Sequence, residues 1–455
     1  MVEYKKKSNI VDMTQGRPVK LLLAFMVPML IGNLFQQLYN MVDSMIVGKF
    51  VGAEALAAVG ATGSLNFLFF SICAGLSSGI GIIVSQRFGA GEEDEVKKTI
   101  ANAIYIMVVA AIMMGGLGVI LSRSILSFLK TPDNILDNAT LYMQISCAGV
   151  IAISIFNCVS SILRGVGDSK TPLYFLIVAS MINIVLDLIF VRTLNWGVAG
   201  VAIATIIAQL ISGLGCLIYA IKCNPFFIIN KDQMKMDYGI IHNCVRIGIP
   251  LAFQTSLIAI SCVALQSVVN TFGSVVVAAF TATSRIEQLV QQPYNSLGMA
   301  MSTYAGQNIG AGRKDRVKQG YFKGMLIMII FSLIMMPVMR FGGESIMKMF
   351  VDDPEVIALG ARGLTITSLY YALLGTIYVT RGLLNGVGDA AFALINGITE
   401  VIGRIGFPKP VTMIPSIGVF GIWHATGLTW AITGIVSMIR YFSGTWDKEV
   451  KHHNI

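Results

Sequence analysis

Residues 85–91 read Ser-Gln-Arg-Phe-Gly-Ala-Gly, and residues 306–312 read Gly-Gln-Asn-Ile-Gly-Ala-Gly. The second stretch stands 221 positions after the first. The same displacement carries Gly165-Val166-Gly167-Asp168 onto Gly386-Val387-Gly388-Asp389, and Ala57-Ala58 with Ala61-Thr62 onto Ala278-Ala279 with Ala282-Thr283. It also carries Gly197-Val198, Gly200 and Ala204-Thr205 onto Gly418-Val419, Gly421 and Ala425-Thr426. Four matches at one displacement mark a duplication. Its boundary falls in the polar stretch around Lys222 to Tyr238, giving an N-terminal unit over 1–222, a linker over 223–240 and a C-terminal unit over 241–455.

Composition says in what solvent the two copies fold. Of the 455 residues, 55% are hydrophobic and only 13% are charged, about half the charged share of a soluble domain. A membrane-spanning helix needs about 20 mainly apolar residues. Twelve stretches meet this, beginning near Leu21, Ala53, Thr99, Asn138, Thr171, Gly197, Ile241, Val275, Lys323, Ala358, Ala390 and Gly418. The eleventh is interrupted by Pro408 and Pro410. All twelve are expected to be helices, because in lipid each segment must satisfy its own backbone polar groups. The alternation of barrel strands is missing. Six spans per copy return the chain to its starting side, so the copies share one orientation. They are then related by an axis along the membrane normal, an arrangement of transporters whose sites lie near midplane. The expected fold is an all-α integral membrane protein of two six-helix lobes.

Charge placement gives orientation. With a cytoplasmic N-terminus, 23 of the 33 lysines and arginines fall on the cytoplasmic side, Arg381 among them. Eight fall outside, and Arg285 and Arg404 lie at membrane depth. Both termini are therefore expected in the cytoplasm of a multi-pass cell-membrane protein. The apolar run after Lys5-Lys6-Lys7 is too long for a cleaved signal peptide and reads as a retained span. The net charge of +9 is topological and calls for no nucleic-acid partner. The seven cysteines lack CxxC spacing and read as small packing residues, with neither a disulfide framework nor a zinc site.

Most repeated residues are glycines, alanines and turn formers, which serve packing. Gly75 and Gly79 form a small-xxx-small pair that lets helix backbones approach. The acids at membrane depth, Asp43, Asp187, Glu287 and Glu400, have no acidic counterpart in the other copy. A charge at the bilayer centre costs at least about 2.5–3.5 kcal/mol on insertion scales, so such residues are functional by default.

Asp43 has company: Gln36, Tyr39, Asn40 and Asp43 stand at i, i+3, i+4 and i+7, on one polar helix face. Tyr39 is one turn from Asp43 and within reach of a hydrogen bond to it. Pro28, upstream, removes a backbone donor and bends or weakens the helix. In the fifth span Asn183 and Asp187 are i and i+4. Thr205 in the sixth span and Asn157 in the fourth add neutral oxygens. Two carboxylates with amide and hydroxyl oxygens suit a hard cation such as Na+, and equally a proton shared between acids. A purely structural role, buried hydrogen bonds that hold helices together, is the competing reading. In the second copy, Glu400 and Arg404 are i and i+4 and read as a structural pair. Glu287 stands near Arg285 and a glutamine cluster that includes Gln291, and is a cavity candidate together with Gln36 and Asn40. His424 reads as satisfied core.

These motifs together resemble the multidrug and toxic compound extrusion family: YNMVDSMIVGKFVGAEALAAVG (Tyr39–Gly60), SQRFGAG (Ser85–Gly91), LRGVGDSKTP (Leu163–Pro172), NIVLDLIFV (Asn183–Val191), GVAGVAIAT (Gly197–Thr205), SRIEQL (Ser284–Leu289) and GQNIGAG (Gly306–Gly312). The resemblance implies a V-shaped, twelve-helix antiporter, monomeric and free of cofactors, that expels cationic or amphipathic small molecules in exchange for Na+ or H+. It also implies that Asp43, Asn183, Asp187 and Thr205 correspond to the family's cation-binding residues, Na+ or H+, with Tyr39, Pro28 and Asn157 around them. The acidic residue that some members carry in the seventh and tenth spans is missing here.

Other readings fit less well. GVGD resembles the GxGD of intramembrane aspartyl proteases, yet it occurs twice and lacks a Tyr-Asp partner motif, so a turn explains it. GVGDSKT has Ser169 where a phosphate-cradling loop requires glycine. No enzymatic activity is expected. A lipid-linked oligosaccharide flippase is the alternative transporter, and would line its cleft with arginines that grip pyrophosphate.

Overall fold

The computed structural model describes residues 9–129 and 131–446. Lys5-Lys6-Lys7, Lys130, Lys448 and Lys451, used above to orient the chain, lie outside the described residues. Helices α1 (Pro18–Ile46), α2 (Ala53–Ala90), α3 (Glu93–Phe128), α4 (Asp133–Ala148), α5 (Val150–Gly165), α6 (Lys170–Asp187) and α7 (Gly197–Cys223) build the first copy. The second copy consists of α8 (Tyr238–Val269), α9 (Ser274–Gly310), α10 (Lys314–Met347), α11 (Pro354–Ser368), α12 (Tyr371–Val387), α13 (Ala390–Gly406), α14 (Pro408–Thr412) and α15 (Gly421–Phe442).

Among the described residues, nine helices are long and apolar enough to cross a membrane, α13 and α14 counting as one, and two bent pairs bring the number to 11. The twelfth expected span is α9. Its 37 residues exceed the required length, but Arg285, Glu287, Gln288, Gln291 and Gln292 dilute its hydropathy.

The fourth and tenth spans are broken where sequence reading expects single helices. α4 meets α5 at 45°, and α11 meets α12 at 53°. At the first break, a Cβ on Gly149 would stand 2.2 Å from Ile206 Cγ1, so α7 presses on backbone that carries no side chain. At the second, the Ser368 hydroxyl donates to Thr365 O at 2.7 Å.

The duplication is written in the backbone as well as in the sequence. Glycines with positive φ recur 221 residues apart: Gly52 and Gly273 (115° and 91°), Gly91 and Gly312 (77° and 68°), Gly167 and Gly388 (92° and 88°), Gly197 and Gly418 (56° and 54°). Each sits at a helix junction, in the left-handed region that L side chains avoid. The two GVGD aspartates are turn formers. Asp168 Oδ1 accepts from Thr171 N at 3.0 Å, and Asp389 Oδ1 accepts from Phe392 N at 3.0 Å. Arg440 adds a two-pronged ion pair to Asp389, at 2.7 and 2.9 Å.

The chain clusters into two compact units, residues 1–13 with 27–252 and residues 14–26 with 253–455. The start of α1 thus belongs with the second unit and the start of α8 with the first. Pro28 in α1 and Pro250 in α8 stand within two residues of these transitions. In the first unit α8 approaches α2 so closely that a Cβ on Gly75 would lie 2.5 Å from Ala252 N, and one on Gly79 would lie 2.7 Å from Gly248 Cα. This is the contact that the small-xxx-small spacing anticipates. The linker is tied down on α3: Gln233 Nε2 donates to Asp94 at 2.8 Å, Tyr105 OH donates to Met234 O at 2.8 Å, and Asp237 N donates to Asn102 Oδ1 at 2.9 Å. Five of the seven cysteines are buried; Cys223 is half-buried and Cys262 exposed.

Candidate functional site

α1 and α6 each carry one acid near the end of a regular helix and then loosen. Four residues past Asp43, α1 continues as a π-helical segment, Val47–Val51, with Gly52 N donating to Val47 O at 3.1 Å. α6 passes directly from Asp187 into a second such segment, Leu188–Thr193, with Leu194 N donating to Ile189 O at 3.0 Å. Wide helical turns of this kind concentrate at functional sites. The packing around them is apolar: Ile46, Val47, Ala55, Val191, Val198 and Val201 form a buried cluster against Val42, Tyr142 and Ile184.

Against that cluster the carboxyl groups of Asp43 and Asp187 stand beside each other. Asp187 is fully buried, while Asp43 is half-buried. With its amide oriented to match its neighbours, Asn183 donates from its nitrogen to Asp187 Oδ2 at 3.0 Å and accepts at its oxygen from Thr205 N and Thr205 Oγ1, both at 3.3 Å. The Tyr39 hydroxyl stands beside that of Thr205. One set of donor roles satisfies the chain: Tyr39 donates to Thr205, Thr205 to Asn183, and Asn183 to Asp187. Three neutral groups therefore deliver a donor to the acid pair. Asp43 Oδ1 and Asp187 Oδ1 are buried without a hydrogen-bond donor among the described residues. Buried carboxyl oxygens left bare are costly, and they are free to meet a small cation.

Tyr39, Asp43, Asn183, Asp187 and Thr205 thus come together from α1, α6 and α7. Pro28 is buried in α1, four turns from Asp43. Asn157, half-buried on α5, takes no part in these hydrogen bonds. The polar face of α1 divides: Tyr39 and Asp43 turn inward, while Gln36 and Asn40 are exposed. Sequence reading missed Tyr142 on α4, which stands near Ser146 and both acids. Its one signal is the Tyr142/Ser146 spacing of i, i+4 inside an apolar span.

In the second unit Glu287 is buried and its Oε1 accepts from Thr367 Oγ1 and from Tyr371 OH at 3.1 Å. Its Oε2 is buried without a hydrogen-bond partner among the described residues. The expected neighbour Arg285 is exposed, because residues two apart point to opposite sides of a helix. Gln291 accepts from Tyr378 OH at 3.1 Å. Glu400 pairs with Arg404 at 3.3 Å as expected, and also with Arg381 at 3.9 Å. Arg381, read above as a connecting residue, lies inside α12. His424 bonds Tyr370 OH at 3.2 Å. Glu400→Gln leaves two guanidiniums without their carboxylate and is expected to lower the yield of folded protein several-fold, read by detergent size-exclusion chromatography.

The MatE family profile matches residues 28–189 and again 250–406, one match in each copy and each beginning at a proline of the long first helix. The probable multidrug resistance protein YpnP of Bacillus subtilis (strain 168) is 29% identical over 437 residues, covering 96% of this chain and 97% of its own. The multidrug export protein MepA of Staphylococcus haemolyticus (strain JCSC1435) is 22% identical, covering 93% of each chain. A crystal structure of MATE in complex with MaD3S superposes with a TM-score of 0.90 at 23% identity, over 97% of this chain and 100% of that one. This chain belongs to the MatE family, the multidrug and toxic compound extrusion transporters.

Proposed function

We propose that the protein is a secondary antiporter of the cell membrane, working as a monomer with both termini in the cytoplasm. It exports cationic or amphipathic small molecules in exchange for an inward-moving ion, with residues 1–222 and 241–455 as its lobes. The observation that carries this reading is the Asp43/Asp187 contact, fed by Asn183, Thr205 and Tyr39. Two carboxyl groups held side by side in apolar packing repel each other when both are charged and are relieved by sharing one proton, which supports H+ as the coupling ion. Na+ would need both bare oxygens, Asp43 Oδ1 and Asp187 Oδ1, turned onto one ion. The names of the relatives reported above lend the flippase reading no support.

The mechanism follows from linkage. An ion drives the cycle only if it binds two conformations with different affinity. Asp43 sits on the proline-containing helix and Asp187 at the junction with a π-helical segment, so neutralising the pair changes how α1 and α6 pack. An inside-negative potential contributes about 2.3 kcal/mol per charge per 100 mV. Dye uptake into everted vesicles is expected to run under an imposed pH gradient and to stay at background under a Na+ gradient alone. Uptake driven by Na+ at matched pH would assign the site to Na+, and no uptake under either gradient would overturn antiport.

A further inference from the structure

Two polar stripes in the second unit face each other and do not balance in charge. On α12, Tyr378, Arg381 and Asn385 stand at i, i+3 and i+7. On α13, Asn396, Glu400 and Arg404 stand at i, i+4 and i+8. Gln254 of α8 ties them, donating to Asn396 Oδ1 at 3.0 Å and accepting from Asn385 Nδ2 at 3.5 Å. One carboxylate, Glu400, serves both guanidiniums, at 3.9 Å from Arg381 and 3.3 Å from Arg404. Arginine stays protonated in proteins, so the group carries one surplus positive charge.

Two donors in this group are unused. Asn396 Nδ2, on a fully buried residue, and Arg404 Nε find no partner among the described residues. The one unused acceptor is Asn385 Oδ1. The arginines are not sealed, with side chains 17% and 13% exposed. Aromatic surface adjoins them: the Arg381 guanidinium lies 4.5 Å from the Tyr378 ring centroid, and Tyr378 stacks on Tyr294 at 6.3 Å.

A surplus buried cation with idle donors is a standing cost unless an anion meets it. Guanidinium forks match carboxylate and phosphate oxygens two at a time. We propose that Arg381, Arg404 and Asn396 form an anion subsite of the second unit, which binds a carboxylate or phosphate group carried on an apolar or aromatic body. The subsite rests on the exporter reading for its place in transport, since it defines amphiphiles with an acidic group as a substrate class. Its existence as a binding site does not need a gradient.

The test is equilibrium binding to the full-length protein in phosphatidylcholine nanodiscs. Dansylglycine, a carboxylate, is expected to bind about tenfold or more tightly than its neutral amide, dansylglycinamide. Arg381→Gln leaves the Glu400–Arg404 pair neutral, so it is expected to keep the melting temperature while weakening dansylglycine about tenfold. Arg381→Lys, which restores the charge, recovers most of that loss. Equal binding of the two probes would overturn the subsite, as would dansylglycine affinity unchanged in Arg381→Gln. Should Arg381→Gln fail to fold, the probe pair and Arg381→Lys decide. Phosphatidylglycerol added to the discs separates the anion's sources: weakened dansylglycine binding supports a lipid headgroup in the subsite, and unchanged binding supports a free substrate. A protein that binds the carboxylate selectively but moves no dye under any gradient keeps the subsite and loses the exporter reading. One that moves dye and binds both probes alike does the reverse.

Discussion

Asp43→Asn and Asp187→Asn are each expected to return an efflux-deficient host to the drug sensitivity of the empty vector, with membrane levels of the protein unchanged. The amide is nearly the shape of the carboxyl group and still donates and accepts hydrogen bonds, so the Asn183–Thr205–Tyr39 chain keeps a partner. What it cannot do is change charge. Moving a conformational equilibrium from 1:99 to 99:1 takes about 5.5 kcal/mol of differential ion affinity, and a group that binds no ion supplies none of it. A structural pair gives the opposite pattern, with protein levels falling and the surviving protein transporting normally. Resistance assays with immunoblots separate the two, and wild-type resistance in both variants would sink the assignment.

Gly165→Val and Gly386→Val are expected to be among the most damaging substitutions away from the acids. A Cβ on Gly165 would lie 2.6 Å from Gly81 O, and one on Gly386 would lie 2.2 Å from Ser302 O. These are equivalent positions of the two copies, so the duplicated glycine meets the same duplicated carbonyl. The obstacle is helix backbone, which cannot turn aside as a side chain does. Each substitution is expected to cost at least about 3 kcal/mol, the upper end of ordinary overpacking. That is about a hundredfold in the folded-to-unfolded ratio. Gly116 on α3, with nothing within 4 Å of its Cβ position, is the control, and Gly116→Val is expected to keep wild-type yield. Monodisperse protein from Gly165→Val and Gly386→Val at wild-type yield would show that the interface is looser than its geometry.

Much of the candidate site was legible because it is written at helical spacing. Asn183 and Asp187 at i, i+4, and Tyr39 and Asp43 on the same helix, share faces whatever surrounds them. The price of a carboxylate in lipid marks Asp43, Asp187, Glu287 and Glu400 as exceptions in advance. Tyr142 escaped notice because a half-buried tyrosine in an apolar span looks like any packing aromatic until an acid from another helix stands beside it. Arg381 escaped because its depth depends on where α12 ends. Gln36 and Asn40 share the stripe of Asp43 yet face outward, since a stripe is wider than the contact it serves.

The sequence by itself determined the environment, the helical spans in outline and the duplication, because hydropathy over about 20 residues and a constant displacement of 221 positions are properties of the chain alone. It determined which acids are exceptional for the same reason. Only the tertiary structure decided the breaks at Gly149 and after Ser368, the meeting of Asp43 with Asp187, and the sharing of Glu400 by two arginines. Each depends on groups far apart in the chain or on how a neighbouring helix presses on backbone. Such distances are fixed by packing, to which helical periodicity is blind.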